Sequence, residues 1–504
     1  GESKTFIGGK ELLKYIMGLG QGSRAAPPSW IQLSSVLMNV YTQLGLGCFT
    51  TDPISLEEIH SAGALFVDDT DLYTGDDRQP EPNELINPAE LWLQTQRNLD
   101  QWSDLLQASG GALKPEKCFW YSLDYKCNAG IWSYVDTSDF ELKIINADGE
   151  EIIIEQKTPT MSMKTLGVND APAGGNVAHL EYLSNKSKIW INRMKNGHLP
   201  SHIAWMAYKL QLWASLRYGI GTMTNDIEEA EGLFKEQEQG LLNILGIVKN
   251  VKRELRRLQP TFGGFGLFNL PMEQLVGRIN LMMQHYHTPS NLSRKLDVSL
   301  NYQQLQVGTN KNPLTLNYDK WGHLATFSWT KMLWRSLKYH AVDLYMKFEE
   351  IPFPREKDIL VMELIMERIS SATAIQSLNR CRCYLSVLFL SDITTADGKY
   401  LEQLVMIPCE NGTKSRYKFP REVPTQADWK RWKRFWTEYT SIGNRLPVEL
   451  GRWINPTHRT WRWFYIKETD DLQRLDKNKL YHYQRRAGRT RGTTSYNVTS
   501  TEEF

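Results

Sequence analysis

The chain has 504 residues, 41% of them apolar and 23% charged, with a formal net charge of +2. That balance suits two to four globular domains, argues against general disorder, and leaves any nucleic-acid contact to local basic clusters. Six cysteines are sparse and unevenly spaced, Cys381-Arg-Cys383 lacks a second ligand pair at zinc spacing, and no apolar run is long enough to span a bilayer. Reduced thiols, an intracellular location, no secretion signal and no membrane insertion are therefore expected.

In chain order, Phe6, Ile7 and the Gly8-Gly9 pair suit a short strand and turn. Gly18, Gly20 and Gly22 surround Gln21 in a loop that lets backbone approach a ligand closely, and the Gln21 amide can both donate and accept. The Pro27-Pro28 pair before Ser29 feeds an apolar helix over Ile31 to Leu44. Next, Gly63 to Tyr73 runs apolar into Phe66, Val67, Asp68 and Asp69, then apolar again at Leu72. That pattern predicts a tight β-hairpin with Asp68 and Asp69 at or next to its tip. On local grounds the pair is a solvated acidic turn or, with a divalent cation between it and a phosphate, a metal site.

Gly75 to Pro82 reads as a surface loop. Asn87 caps a helix with Pro88 at its first position, and Gly110 ends it. Its apolar positions Leu91, Leu99, Trp102, Leu105 and Leu106 share a face that should cover a sheet. Strands are expected in Cys118 to Trp132 and Glu141 to Glu155, with a turn at Asp148-Gly149, making an antiparallel sheet.

From His179 to Tyr286 the pattern turns helical, with one helix opened by Pro200-Ser201 and another over Ile227 to Ile247. Cations cluster there, including Lys186, Lys188, Lys252, Arg253, Arg256 and Arg257, as either a solvated face or a phosphate-binding one. Beyond residue 300 helices are expected over Trp329 to Phe348 and Lys357 to Ser371, a strand over Tyr384 to Leu390, and a linker over Cys409 to Gln426. Trp429 to Trp436 and Trp453 to Tyr465 interleave aromatics with Arg and Lys, either to stack bases or to fill a small core. The tail from Arg485 to Phe504 is expected to be disordered.

Gly-Gln-Gly with Pro-Ser, then Phe-Val-Asp-Asp, then Gly111-Ala-Leu113-Lys114-Pro-Glu-Lys117, then Leu166-Gly167, is an ordered set. In that order it resembles the second half of the palm of a reverse transcriptase of non-LTR, LINE-like retrotransposons. The resemblance covers about Gly18 to Gly167 and runs more loosely through Gly263 to Leu270. It implies an α+β chain: a partial polymerase palm over 1–175, an antiparallel sheet with helices on one face, then a helical thumb over 176–295. A mostly helical region would follow over 296–410, a Trp/Arg-rich module over 411–484 and the tail over 485–504.

The resemblance also implies roles. Asp68, and next to it Asp69, would hold magnesium in a two-metal site that activates a primer hydroxyl and stabilises the leaving pyrophosphate. Gln21, Gly22, Ser29 and Phe66 would border the incoming nucleotide and template. Lys117 would meet the triphosphate and is a candidate general acid. Leu166 and Gly167 would grip the primer, and Lys186, Lys188, Lys252, Arg253, Arg256 and Arg257 would follow the nucleic-acid backbone. RNA template, DNA primer and deoxynucleoside triphosphates are the implied partners. In the family one metal-binding aspartate precedes the Gly-Gln-Gly loop, and the residues before Gly18 offer only Glu2 and Glu11. The chain is therefore expected to carry an incomplete polymerase; a catalytically inactive palm remnant that binds RNA or DNA, or serves as a scaffold, is the alternative.

Overall fold

A computed structural model describes residues 2–7, 10–15, 26–45, 47–66, 69–75, 88–128, 131–135, 137, 139–145, 149–174, 176–395, 398–406, 415–420, 422–441, 443–458, 464–466, 471–476, 479–484 and 493–497. The chain is mixed α+β, with many helices and small sheets. It divides into two compact units, the first built from Gly1–Thr51, Glu58–Lys126 and Tyr134–Met161, the second from Asp52–Glu57, Cys127–Ser133 and Ser162–Phe504.

The first unit opens with an antiparallel hairpin, β1 (Glu2–Ile7) and β2 (Lys10–Tyr15). Helix α1 (Ala26–Gln43) follows, then the hairpins β3 (Cys48–Thr51) with β4 (Glu58–Ser61) and β5 (Gly63–Phe66) with β6 (Asp69–Leu72). Helix α2 (Pro88–Ala108) begins at the expected proline. Leu105 and Leu106 join Leu37, Tyr41, Ala62 and Trp102 in one core, while Trp92 and Leu99 join Leu142, Ile144 and Ile154 in another. Burying a stripe on each of two sides lets one helix support both the β5–β6 hairpin and the next sheet.

That sheet differs from the antiparallel one expected. After β7 (Phe119–Tyr121), β8 (Tyr125–Asn128) and β9 (Ile131–Tyr134), strand β10 (Leu142–Ile145) pairs antiparallel with β11 (Glu151–Lys157). β11 then pairs parallel with β7, Glu155 opposite Phe119 and Lys157 opposite Tyr121. The long intervening stretch supplies the crossover that a parallel pair requires. Asp148, expected in the turn, lies outside the described residues, as do Gly18, Gly20, residues 76–82 and Asn87.

In the second unit, hairpin β12 (Met163–Thr165) and β13 (Val168–Asp170) precedes α3 (Val177–Gly197). Helix α4 (Ser201–Ala207) runs through a π-turn at Tyr208–Trp213 into α5 (Ala214–Arg217), followed by α6 (Ile227–Ile244) and the short α7 (Arg253–Arg257). Buried Tyr208, whose hydroxyl accepts from the Phe268 amide at 2.8 Å, ties this core together.

A larger core lies on α8 (Leu270–His287), α9 (Asn291–Val307), α10 (Tyr318–Trp321), α11 (Trp329–Tyr339), α12 (Val361–Arg368), α13 (Ala372–Tyr384) and α14 (Gln426–Tyr439). Strands β14 (Phe464–Ile466), β15 (Asp471–Asp476), β16 (Lys479–Gln484) and β17 (Thr493–Asn497) make a four-stranded antiparallel sheet.

Several C-terminal expectations are corrected. Tyr384 ends α13 and the run to Leu390 is not a strand, because its polar backbone is satisfied otherwise: Asp392 accepts from the Leu388 and Phe389 amides at 2.8 and 2.9 Å. Arg382, wholly buried, donates to the Val387, Leu305 and Gln306 carbonyls and to the Asn379 side chain. The segment expected as a linker buries Tyr417 and Phe419 beside Phe389. Tyr417 stacks on His458, whose ring is held between Ser415 and Asp392. Residues 493–497 of the tail form β17 rather than lacking order. Trp432, Phe435 and Trp436 enter the core that also holds α9 and α11–α13, so base stacking is not their task. Cys381 and Cys383 are buried free thiols, with burial pushing both pKa values up.

Candidate functional site

The β5–β6 hairpin is built from alternation. Its register pairs Phe66 with Asp69, Leu65 with Thr70, Ala64 with Asp71 and Gly63 with Leu72. One face therefore carries Gly63, Leu65, Thr70 and Leu72, the other Ala64, Phe66, Asp69 and Asp71. The first face packs through Leu65 and Leu72 onto Leu37, Met38 and Trp102. Gly63 is required there, since a Cβ would lie 2.4 Å from the Asp71 carbonyl oxygen. The second face is exposed, with Phe66 57% accessible. Val67 and Asp68, the two residues between the strands, lie outside the described residues.

Asp71 was not singled out in the sequence, although Asp-x-Asp in a strand places both carboxylates on one face. Partial burial, then the like charge of Asp69, raise its pKa above the usual carboxylate value. Asp69 and Asp71 repel one another on this face, a repulsion that a divalent ion between them would relieve. Among the described residues no group of three metal-ligating side chains is assembled.

The remaining candidates are distributed as follows. Gln21 and Gly22 lie outside the described residues. Ser29 is exposed in the first turn of α1, and Lys117 is exposed at the end of a 3₁₀ turn over Pro115–Lys117, anchored by the buried Pro115. Ser29, Phe66, Asp69 and Lys117 belong to the first unit; the primer-grip and backbone candidates belong to the second.

Leu166 and Gly167 form the two-residue turn of the β12–β13 hairpin, both with positive φ, +51° and +87°. Glycine suits that geometry and leucine does not, yet Leu166 is held there by a 2.7 Å hydrogen bond from the Tyr218 hydroxyl to its carbonyl. At this hairpin, the ammonium groups of Lys164 on β12 and Lys186 on α3 lie 5.5 and 5.6 Å from the Tyr182 ring centre, and His179 stacks on the same ring. Lys188 is exposed on α3 and Lys252 precedes α7.

All three arginines of α7 are engaged by carboxylates of α6; Arg256 and Arg257 are turned inward, while Arg253 stays partly exposed. Arg256 donates to Glu238 at 2.9 Å and to the Val251 carbonyl at 2.8 Å; Arg257 donates to Glu231 at 3.0 Å and Glu238 at 3.3 Å; Arg253 pairs with Glu231. Glu238 is nearly inaccessible. Burial alone would raise the Glu231 pKa, but Arg257 and Arg253 hold it below its usual value. Glu231 and Glu238 stand about two turns apart on α6, so the sequence did carry a signal for a carboxylate stripe facing α7.

The chain matches no protein-family model, no curated protein and no solved structure. No helix among the described residues is long and apolar enough to cross a membrane.

Proposed function

We propose that the chain is part of an RNA-directed DNA polymerase, a palm with a thumb-like helical region, in which Asp68 and Asp69 hold magnesium for nucleotidyl transfer. The observation that supports this most is the β5–β6 hairpin: an apolar face anchored on α1 and α2, an opposite face presenting Phe66, Asp69 and Asp71 to solvent, and strands joined through Val67-Asp68. A palm hairpin needs that division, because carboxylates can hold ions against a triphosphate only if their strands are fixed from behind. Asp71 adds a nearby negative charge that favours a cation. Lys117 would oppose the triphosphate, with Gln21, Gly22 and Ser29 toward nucleotide and template and Leu166-Gly167 toward the primer. Lys186, Lys188 and Lys252 would meet phosphates; Arg253, Arg256 and Arg257 are the weaker candidates because Glu231 and Glu238 already engage them.

The test is magnesium-dependent extension of a DNA primer on an RNA template by a complete version of the polymerase that contains this chain, with Asp68→Ala and Asp69→Ala beside the unchanged protein. Each substitution is expected to lower extension by about a hundredfold or more while duplex binding stays within a few-fold. Extension that survives both substitutions overturns the reading. Salt-sensitive duplex binding with no extension even by that complete version replaces it with a non-catalytic nucleic-acid-binding palm.

A further inference from the structure

Helix α14 separates its residues by face. Trp432, Phe435 and Trp436 are buried, and the Trp432 indole donates to the Val405 carbonyl at 3.1 Å. Lys430, Arg431, Lys433, Arg434, Thr437 and Glu438 are exposed. Of the four cations only Arg434 meets a carboxylate, Glu438 one turn on, at 2.7 Å; among the described residues none pairs with Lys430, Arg431 or Lys433. The helix's remaining acid, Asp428, is buried and faces the other way, onto Arg380, Ser377 and Thr425.

We infer that this face of α14 is a docking surface for the phosphate backbone of a nucleic acid, read without regard to sequence. The four cations lie within about 6 Å of helix axis. A duplex carries one phosphate per roughly 1.7 Å, so about three or four phosphates span the same length. The exposed face holds no large apolar residue that would enter a membrane and no exposed aromatic that would stack on a base. The aromatics that alternate with the cations in sequence serve to fix the helix, which keeps the charges in one place when a ligand arrives. The choice of nucleic acid over another polyanion rests on the polymerase reading; the charge and its placement do not.

The experiment is fluorescence-anisotropy titration of a labelled RNA–DNA hybrid with the full chain at several salt concentrations. The chain is compared with Lys430→Gln/Arg431→Gln/Lys433→Gln and with the charge-preserving Lys430→Arg/Arg431→Lys/Lys433→Arg. The glutamine variant is expected to bind at least about tenfold more weakly near 0.1 M salt and to flatten the slope of log affinity against log salt by about 2 to 3. The charge-preserving variant should keep the original slope. Should the triple glutamine variant fail to fold, the single Lys433→Gln should still flatten the slope by about 1. An unchanged slope and affinity overturn the inference. So does equal binding of anionic vesicles or polyglutamate, lost in the same variant, since the surface would then not be one for nucleic acid. Primer extension by a complete version of the polymerase is scored separately: binding with the expected slope beside no extension there keeps this surface and removes the polymerase reading.

Discussion

Residues 249–257 and 429–436 look alike as text, each packing cations among apolar or aromatic residues, yet the structure puts them to opposite uses. Around α7 the Arg256 and Arg257 guanidinium groups point inward, because α6 presents Glu231 and Glu238 to them. On α14 the cations point outward, because the surrounding core is apolar and takes Trp432, Phe435 and Trp436 instead. The fate of a basic cluster is thus decided by the residue types on the element it packs against, many positions away. A buried arginine needs a carboxylate or a set of carbonyls, whereas an aromatic needs only volume.

The strongest way to break this contrast is at the acid that seats α14. The Asp428 carboxylate accepts from Arg380 Nη2 at 2.8 Å and from the Thr425 amide and hydroxyl, both at 2.9 Å, with Ser377 adding another donor. Asp428→Ala should cost about 4 kcal/mol in chemical denaturation, since it removes the N3 carboxylate of the capping box whose N-cap is Thr425 and leaves buried donors and a guanidinium without their acceptor. The effect has a pH signature. Burial alone would raise the pKa, but Arg380, Ser377 and Thr425 outweigh it and hold the carboxyl well below its usual range. The folded state therefore binds this proton less readily than the unfolded chain does. The stability it contributes is present above about pH 4 and is lost as pH falls toward the folded-state value. The gap between the chain and Asp428→Asn should accordingly narrow below that pH; a gap independent of pH would show that Asp428 acts only as a neutral hydrogen-bond acceptor.

At α7 the corresponding change is Glu238→Gln. It keeps the shape and an acceptor but removes the charge that Arg256 and Arg257 face, and Glu231, partly exposed, remains for both Arg253 and Arg257. A loss of about 3 kcal/mol is expected, measured by urea unfolding. If stability is unchanged, the arginines are held by packing alone and their charge is available to a ligand, which would restore them as backbone contacts.

How much of this could be read beforehand varies with the range of the interaction. Helix α2 was legible because Pro88 and Gly110 are local signals, and the β5–β6 hairpin because an apolar run broken by an Asp pair and resumed after it is local too. The face shared by Asp69 and Asp71 was also available, from a period of two. The parallel pairing of β11 with β7 was not, since nothing within either strand specifies a partner so far along the chain. The apolar run from Tyr384 to Leu390 was misread as a strand because short apolar runs do not distinguish a strand from an irregular buried segment. Asp392 and Arg382, which satisfy that segment's backbone, are polar residues whose role depends on where the chain folds back. Likewise the aromatic and basic residues of α14 announced an amphipathic element, but not which set would face inward.

The smallest expected effect sharpens the contrast most. Lys430→Gln/Arg431→Gln/Lys433→Gln should leave unfolding free energy within about 0.5 kcal/mol of the unchanged chain, because these side chains are exposed and meet no carboxylate among the described residues. Relief of repulsion among three neighbouring cations could even make the variant slightly more stable, most visibly at low salt, where their charges are least screened. That outcome would show a cation cluster that the fold does not use and that stays open to a ligand outside it. A loss of about 2 kcal/mol or more, on the scale of a broken internal pair, would instead place these cations in the same category as the arginines of α7.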